Sequence, residues 1–293
     1  MGGETGPPSL SMPERIVMSG FFAIGFYNTV ELFVLIFTTF KKWRGLYFWS
    51  MVVAAIGIPS HAIAFMLRYF QFAPNIPISF FSLFGWWTMV TGQSVVLWSR
   101  LHLVVHDSRK IRWVLVMIFT NASVLQVPES VLFILCNFGN PAPYITAFNI
   151  FERITIVVFS LQEAIISGLF MWEGCYSLKA ILAIKRREGQ NILRYLVALF
   201  ILVLLLDSGL IALEYTDNFL LETACKPFVY SIKLKAELII LNKLCAFTQM
   251  SDYSCQTPSS APVDAFRNRC ISDTISPNCI GPSSLAILAR TSV

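Results

Sequence analysis

GWWTMVTGQSVVLWSRLHLVV, residues 85–105, decides the fold. The stretch is mostly apolar and long enough to cross the hydrocarbon of a bilayer, for which a helix needs about 20 residues. It nevertheless contains Gln93, Arg100 and His102. A helix surrounded by lipid gains nothing from an amide or a guanidinium. A helix surrounded by other helices can use both. Gln93 and Arg100 are seven positions apart, hence on one helical face. The stretch predicts a membrane helix packed inside a bundle.

The rest of the chain repeats that pattern. Of its 293 residues, 56% are hydrophobic and 13% charged, whereas soluble domains are roughly 45–50% apolar and about 25% charged. So little charge cannot cover so much apolar surface in water, so lipid is read as the solvent. The net charge of +5 is carried by short basic clusters between apolar runs. No basic stripe with interleaved aromatics appears, which excludes nucleic acid as a partner. The seven cysteines have no metal-ligand spacing, and their odd number argues against a disulfide scaffold. The opening segment, MGGETGPPSLSMPER, lacks the basic region and cleavage pattern of a removable signal. Gly6 occupies the Ser/Thr position of a myristoylation motif, which discounts that modification.

Seven apolar runs predict helices over about 16–40, 46–67, 78–105, 113–138, 147–177, 192–215 and 218–247. Their length and continuity favour helices over the alternating strands of a barrel. The segments after the first, third and fifth runs hold ten Lys and Arg, and the alternate segments one, Arg68. Basic loops face the cytoplasm. The expected fold is an all-α, seven-transmembrane helix bundle with the N-terminus outside and the C-terminus cytoplasmic. Three segments follow: a short disordered start at 1–15, a membrane domain at 16–247, and a Ser/Pro/Cys-rich disordered tail at 248–293.

Four stretches carry a resemblance: FTTFKKWRGLYFWS (37–50), GWWTMVTGQSVVLWSRLHLV (85–104), FSLQEAIISGLF (159–170) and KPFVYSIKLKAELIILNKL (226–244). Together they resemble an uncharacterised fungal family of seven-helix integral membrane proteins, over about residues 16–246. The resemblance implies a multi-pass fold in a fungal membrane and implies no activity.

Polar residues inside the runs are the candidate site. A charge at a helix centre costs about 2.5–3.5 kcal/mol on insertion scales, so such residues turn toward partners or a wet cavity. Glu31, Gln93, Arg100, Glu129, Glu163, Asp207 and Lys226 are the expected intramembrane polar network, serving either to fix helix packing or to line a ligand or ion site. Counting residues from the helix ends puts Gln93 level with Glu163, Arg100 with Glu173, Glu31 with Asn121, and Asp207 with Lys226. The last is the most attractive pair. Lys233 and Glu237 are expected to pair on their own helix. Pro59 and Pro128 fall inside helices and remove one hydrogen bond each.

Several chemistries are weak on the residues. His102 and His106 are four apart, but HLVVH lacks the glutamate of a zinc-protease helix. No metal or cofactor is expected. The third helix has no acidic counter-ion for a retinal Schiff base at Lys226 or Lys233. Ser99, not an acid, precedes Arg100, so the usual arginine lock of G-protein-coupled receptors is missing. Asn121-Ala122-Ser123 lies within a helix, out of reach of glycosylation. Cys136 and Cys225 are candidates to pair, and Cys245 for palmitoylation. The reading is a multi-pass membrane protein of receptor-like or sensor-like character and without enzymatic activity. Its partners are membrane lipid, a small ligand within the bundle, and a cytoplasmic protein at the basic loops. The alternatives are an intramembrane enzyme with terpene-cyclase-like acid catalysis, or a small-solute transporter.

Overall fold

A computed structural model describes residues 12–40, 45–72, 74–105, 107–138, 143–182, 186–216 and 219–253. The sequence readings for residues 1–11, most of KKWRG, His106, the start of GNPAPYIT, part of TDNF and the tail beyond 253 lie outside the described residues. So do the side chains of KRREG and of Cys245.

The described residues form seven helices and are all-helical. They are α1 (Met12–Thr39), α2 (Leu46–Tyr69), α3 (Asn75–Val104), α4 (Ser108–Asn137), α5 (Ile145–Leu182), α6 (Arg186–Tyr215) and α7 (Phe219–Tyr253). Five of them, α1, α2, α4, α5 and α6, are long and apolar enough to cross a membrane. The two others, α3 and α7, bring Arg100, Lys233 and Glu237 into the interior. α7 extends to Tyr253, beyond the expected close of the membrane domain at 247.

Local chemistry explains several boundaries. The Asp107 carboxylate accepts the Arg109 N–H at 3.0 Å and caps α4. α2 closes in a Schellman motif: Gln71 adopts φ 57, Phe72 N–H donates to Leu67 O at 3.0 Å, and Gln71 N–H donates to Arg68 O at 3.3 Å. Pro59 lies within α2 without ending it. In α4, residues Ala122–Gln126 form a π-helical turn two positions before Pro128. The wider turn accommodates a residue that cannot donate a backbone hydrogen bond. It leaves Gln126 and Glu129 buried.

The helices form a ring in chain order that closes where α1 packs on α7, and α2 also touches α7 across the interior. Of the five apolar spans α2 is the most enclosed: 67% of it is buried, against 28% for α1 and for α6. The α2–α3 contact is the tightest. A Cβ on Gly57 would lie 2.5 Å from Met89 N, one on Gly85 2.5 Å from His61 N, and one on Gly92 2.9 Å from Ala54 Cα. Small residues allow this approach, as is usual where apolar solvent gives no hydrophobic drive for helices to associate.

The outer surface is apolar. Val34, Phe119, Val124, Ile154, Leu161, Ile201 and Leu205 are exposed. On α6 the exposed Tyr195 and Tyr215 bracket this band. At 1.5 Å per residue they stand about 30 Å apart, the thickness of a hydrocarbon core. Trp49, Trp113 and Trp172 are exposed toward the end of the bundle where α2 and α4 begin. Exposed tryptophans grouped at one end are the pattern of an interfacial aromatic belt in membrane proteins.

Candidate functional site

The stretch ETACKPFVYSIKLKAE (222–237) of α7 builds the site. Glu222, Lys226, Tyr230, Lys233 and Glu237 recur at spacings of three and four, so they share one face, and all five are buried. α5 faces this stripe with its own: Glu152, Thr155, Phe159 and Glu163, also buried. Helical periodicity thus lays two polar seams against each other inside an apolar shell.

The α7 seam forms ion pairs at three levels, with α5 supplying a partner at two of them and α3 at the third. Near the end at which α1 begins, Lys226 Nζ lies 2.6 Å from Glu222 and 3.3 Å from Glu152. Arg153 Nε stands 3.7 Å from Glu214 at the same end. In the middle, Lys233 Nζ donates to Glu163 at 2.8 Å and pairs with Asp207. Its ammonium also lies 4.9 Å from the centre of the Tyr230 ring. Toward the opposite end, Arg100 pairs with Glu237, and its guanidinium lies 3.8 Å over the Phe170 ring. Lys235 and Glu31 form a fourth, half-exposed pair between α7 and α1. Breaking a buried pair by removing one partner costs about 3–5 kcal/mol, because the other charge is stranded.

Acid exceeds base around the middle and the α1-start end. The carboxylates there are Glu129, Glu152, Glu163, Asp207, Glu214 and Glu222. The cations are Lys226, Lys233 and Arg153, with Arg68 beyond them donating to Asn137 at 2.8 Å. Glu152, Glu214 and Glu222 each place a carboxylate oxygen within 4.8 Å of the others. Two bare negative charges at that separation repel by roughly 3.5 kcal/mol at an effective dielectric of about 20. A cavity of about 30 Å³ opens beside this group, lined among others by Glu129, Glu163, Asp207, Glu222, Lys226 and Tyr230. It has room for about two water molecules. Glu129 is 6% exposed, lines the cavity, and its Oε2 has no hydrogen-bond partner.

Of the residues expected from sequence, Glu129, Glu163, Asp207 and Lys226 meet at this cavity. Arg100 and Glu31 lie elsewhere, each in its own pair. Gln93 is 1% exposed, and neither of its amide atoms has a hydrogen-bond partner. The expected Asp207–Lys226 pair is not formed. Asp207 pairs with Lys233, while Lys226 pairs with Glu152 and Glu222. Nor do Lys233 and Glu237 pair on their own helix, since each turns to a different neighbour. Glu173 pairs with Lys110 rather than Arg100, at 2.6 Å. Asn121 donates to Gln162 at 2.7 Å, and Gln162 donates to Ser94 at 2.9 Å, tying α4, α5 and α3 together. The expected Cys136–Cys225 disulfide is not formed.

Depth counting errs for these pairs in level as well as azimuth: Asp207 stands level with Lys233, seven residues beyond Lys226, and residues at one level need not face each other. Glu152, Arg153, Glu214 and Glu222 were not expected in the network. They sit close to helix ends, where charge reads as interfacial. The signal available for them was the i,i+4 spacing of Glu222 and Lys226, and the continuation of the Glu163 face back to Glu152.

The chain belongs to the family described as Domain of unknown function (DUF7703), whose model matches residues 5–259. No curated protein matches it.

Proposed function

We propose that this member of a family without assigned activity is a seven-span, sensor-like membrane protein. Its N-terminus is outside, its C-terminus is cytoplasmic, and the setting is a fungal membrane. The orientation rests on the ten-to-one asymmetry of Lys and Arg between alternate loops. The more polar α3 and α7 cross with their charged faces turned inward and paired, which removes the usual objection to charge in a span. The sensor-like reading rests on one observation: a ladder of buried ion pairs joins α3, α5, α6 and α7 around a small polar cavity. Such a ladder has discrete alternative pairings, and an occupant of the cavity biases their balance.

A cavity of about 30 Å³ is far below the roughly 300–1,000 Å³ of a site for a drug-sized molecule. This speaks against an isoprenoid substrate and for a very small occupant. The basic segments at the cytoplasmic end offer a surface to an acidic protein partner.

The reading is tested in lipid nanodiscs. Spin labels replace the exposed Trp49 and Trp172, and their separation is measured in wild type and in Lys233→Met. Two distance populations with a ratio that moves in the variant are expected. One distance, identical in both proteins, refutes the reading.

A further inference from the structure

We propose that the carboxylate group of Glu129, Glu152, Glu214 and Glu222 is a proton-binding site. It loads from the end of the bundle at which α1 begins, through the cavity beside it. The inference deepens the sensor-like reading by naming its occupant, and it rests on that reading only for its consequence.

Three observations carry it. The first is charge. Among the described residues that face the interior in this half of the bundle, six carboxylates stand against four cations even with Arg68 counted. A bilayer interior does not hold a surplus of bare negative charge. The second is the free acceptor: Glu129 is 6% exposed, faces the cavity, and its Oε2 has no hydrogen-bond partner. The third is space. The Lys226 ammonium already lies 2.6 Å from Glu222 and 3.3 Å from Glu152. It occupies the point from which a metal ion would draw on those carboxylates and repels a second cation there. The cavity suits water and not a hydrated ion. A proton needs no such room: hydronium passes it to a carboxylate oxygen, leaving neutral water and a neutral carboxylic acid.

Arg153 and Tyr215, the latter exposed, stand at the outer edge of the site, with the Arg153 guanidinium 5.7 Å from the ring of Tyr215. Glu14 and Arg15 lie exposed at the start of α1. From α2 come His61, Arg68 and Tyr69, all buried. At the inner wall of the cavity, Asp207 and Glu163 are held by Lys233, with Tyr230 beside them. Farther on, Arg100 and Glu237 pair under Phe170, among the buried Leu97, Leu101 and Ile240. That apolar plug makes the route a dead end, which suits a detector of protons and not a conductor of them.

The full chain in proteoliposomes tests this by infrared difference spectroscopy. At neutral pH a carbonyl stretch of protonated carboxylic acid is expected. It should weaken when pH is raised on the α1-start side alone and be unmoved by pH on the other side. Glu129→Gln with Glu222→Gln should remove at least half of it. In the wild type, a lipid-soluble carbodiimide, which attacks protonated carboxyls, should modify Glu129 or Glu222, and less so at high pH. This second measurement stands if the variants do not fold.

A band absent at every pH overturns the proposal, as does a band untouched in a folded double variant. A band or carbodiimide label displaced by sodium or calcium at constant pH overturns it in favour of a metal ion. If the band behaves as expected while the Trp49–Trp172 distance never moves, the proton site stands and the sensor-like reading fails. The reverse outcome removes the proton and leaves the sensor-like reading with another occupant.

Discussion

Lys233 serves two acids at once, Glu163 and Asp207, and is fully buried. Lys233→Met should therefore destabilise the protein by about 3–5 kcal/mol, seen as a lower Tm in detergent. Adding Glu163→Gln and Asp207→Asn should recover much of that loss, because neutral partners strand no charge. A double-mutant cycle separates the observed pairing from the expected one. Asp207→Asn with Lys233→Met should be strongly non-additive, and Asp207→Asn with Lys226→Met nearly additive. Gln93 is the opposite case. Its buried amide has no partner, so Gln93→Leu should leave stability unchanged or raise it. A drop of about 2 kcal/mol or more in thermal unfolding would show that the amide has a partner after all. The presence of Gln93 and Arg100 inside an apolar run was enough to read α3 as facing other helices. Their partners were not readable. Arg100 finds Glu237, 137 positions further on, and nothing local in either stretch fixes the relative rotation of the two helices.

Among the elements, α2 and α3 depend on small residues at their contact. Gly57→Leu and Gly85→Leu should each prevent the two helices from docking and sharply reduce the yield of folded protein on size-exclusion chromatography. Gly209 is the control. A Cβ there meets nothing within 4 Å, so Gly209→Ala should be neutral or stabilise α6 through its better helix propensity, by up to about 1 kcal/mol. Helix existence was legible throughout: each of the seven apolar runs lies on one of the seven helices. What the pattern did not show was the π-helical turn at Ala122–Gln126. Pro128 marked a lost hydrogen bond, but the strain can be relieved by a kink, a break or a wider turn. Which one occurs is set by the packing of Gln126 and Glu129 into the interior.

For the whole molecule, the apolar exposed surface and five helices long enough to span suit lipid as the medium, and a lysine scan reads its depth. Leu205→Lys, within the apolar band of α6, should cost about 2.5–3.5 kcal/mol. Tyr195→Lys, at its edge, should cost little, since the ammonium reaches the headgroups. Equal effects on Tm would mean that the band is not where the tyrosines mark it. Composition made the long apolar helices legible, whereas the closing of the ring by α1 and α7 was not, because helix order does not specify which faces meet. That closure bears on how the chain is made. Glu31 waits for Lys235, 204 positions later, and Asn28 waits for Ser231, 203 positions later. At roughly 5–20 residues per second of synthesis, a first helix that spans the bilayer as proposed stands there for on the order of 10–40 s with an unanswered carboxylate. Chains cut short before Lys235 never answer it. Nascent protein of this kind is left dependent on whatever shields a lone acidic helix until translation ends.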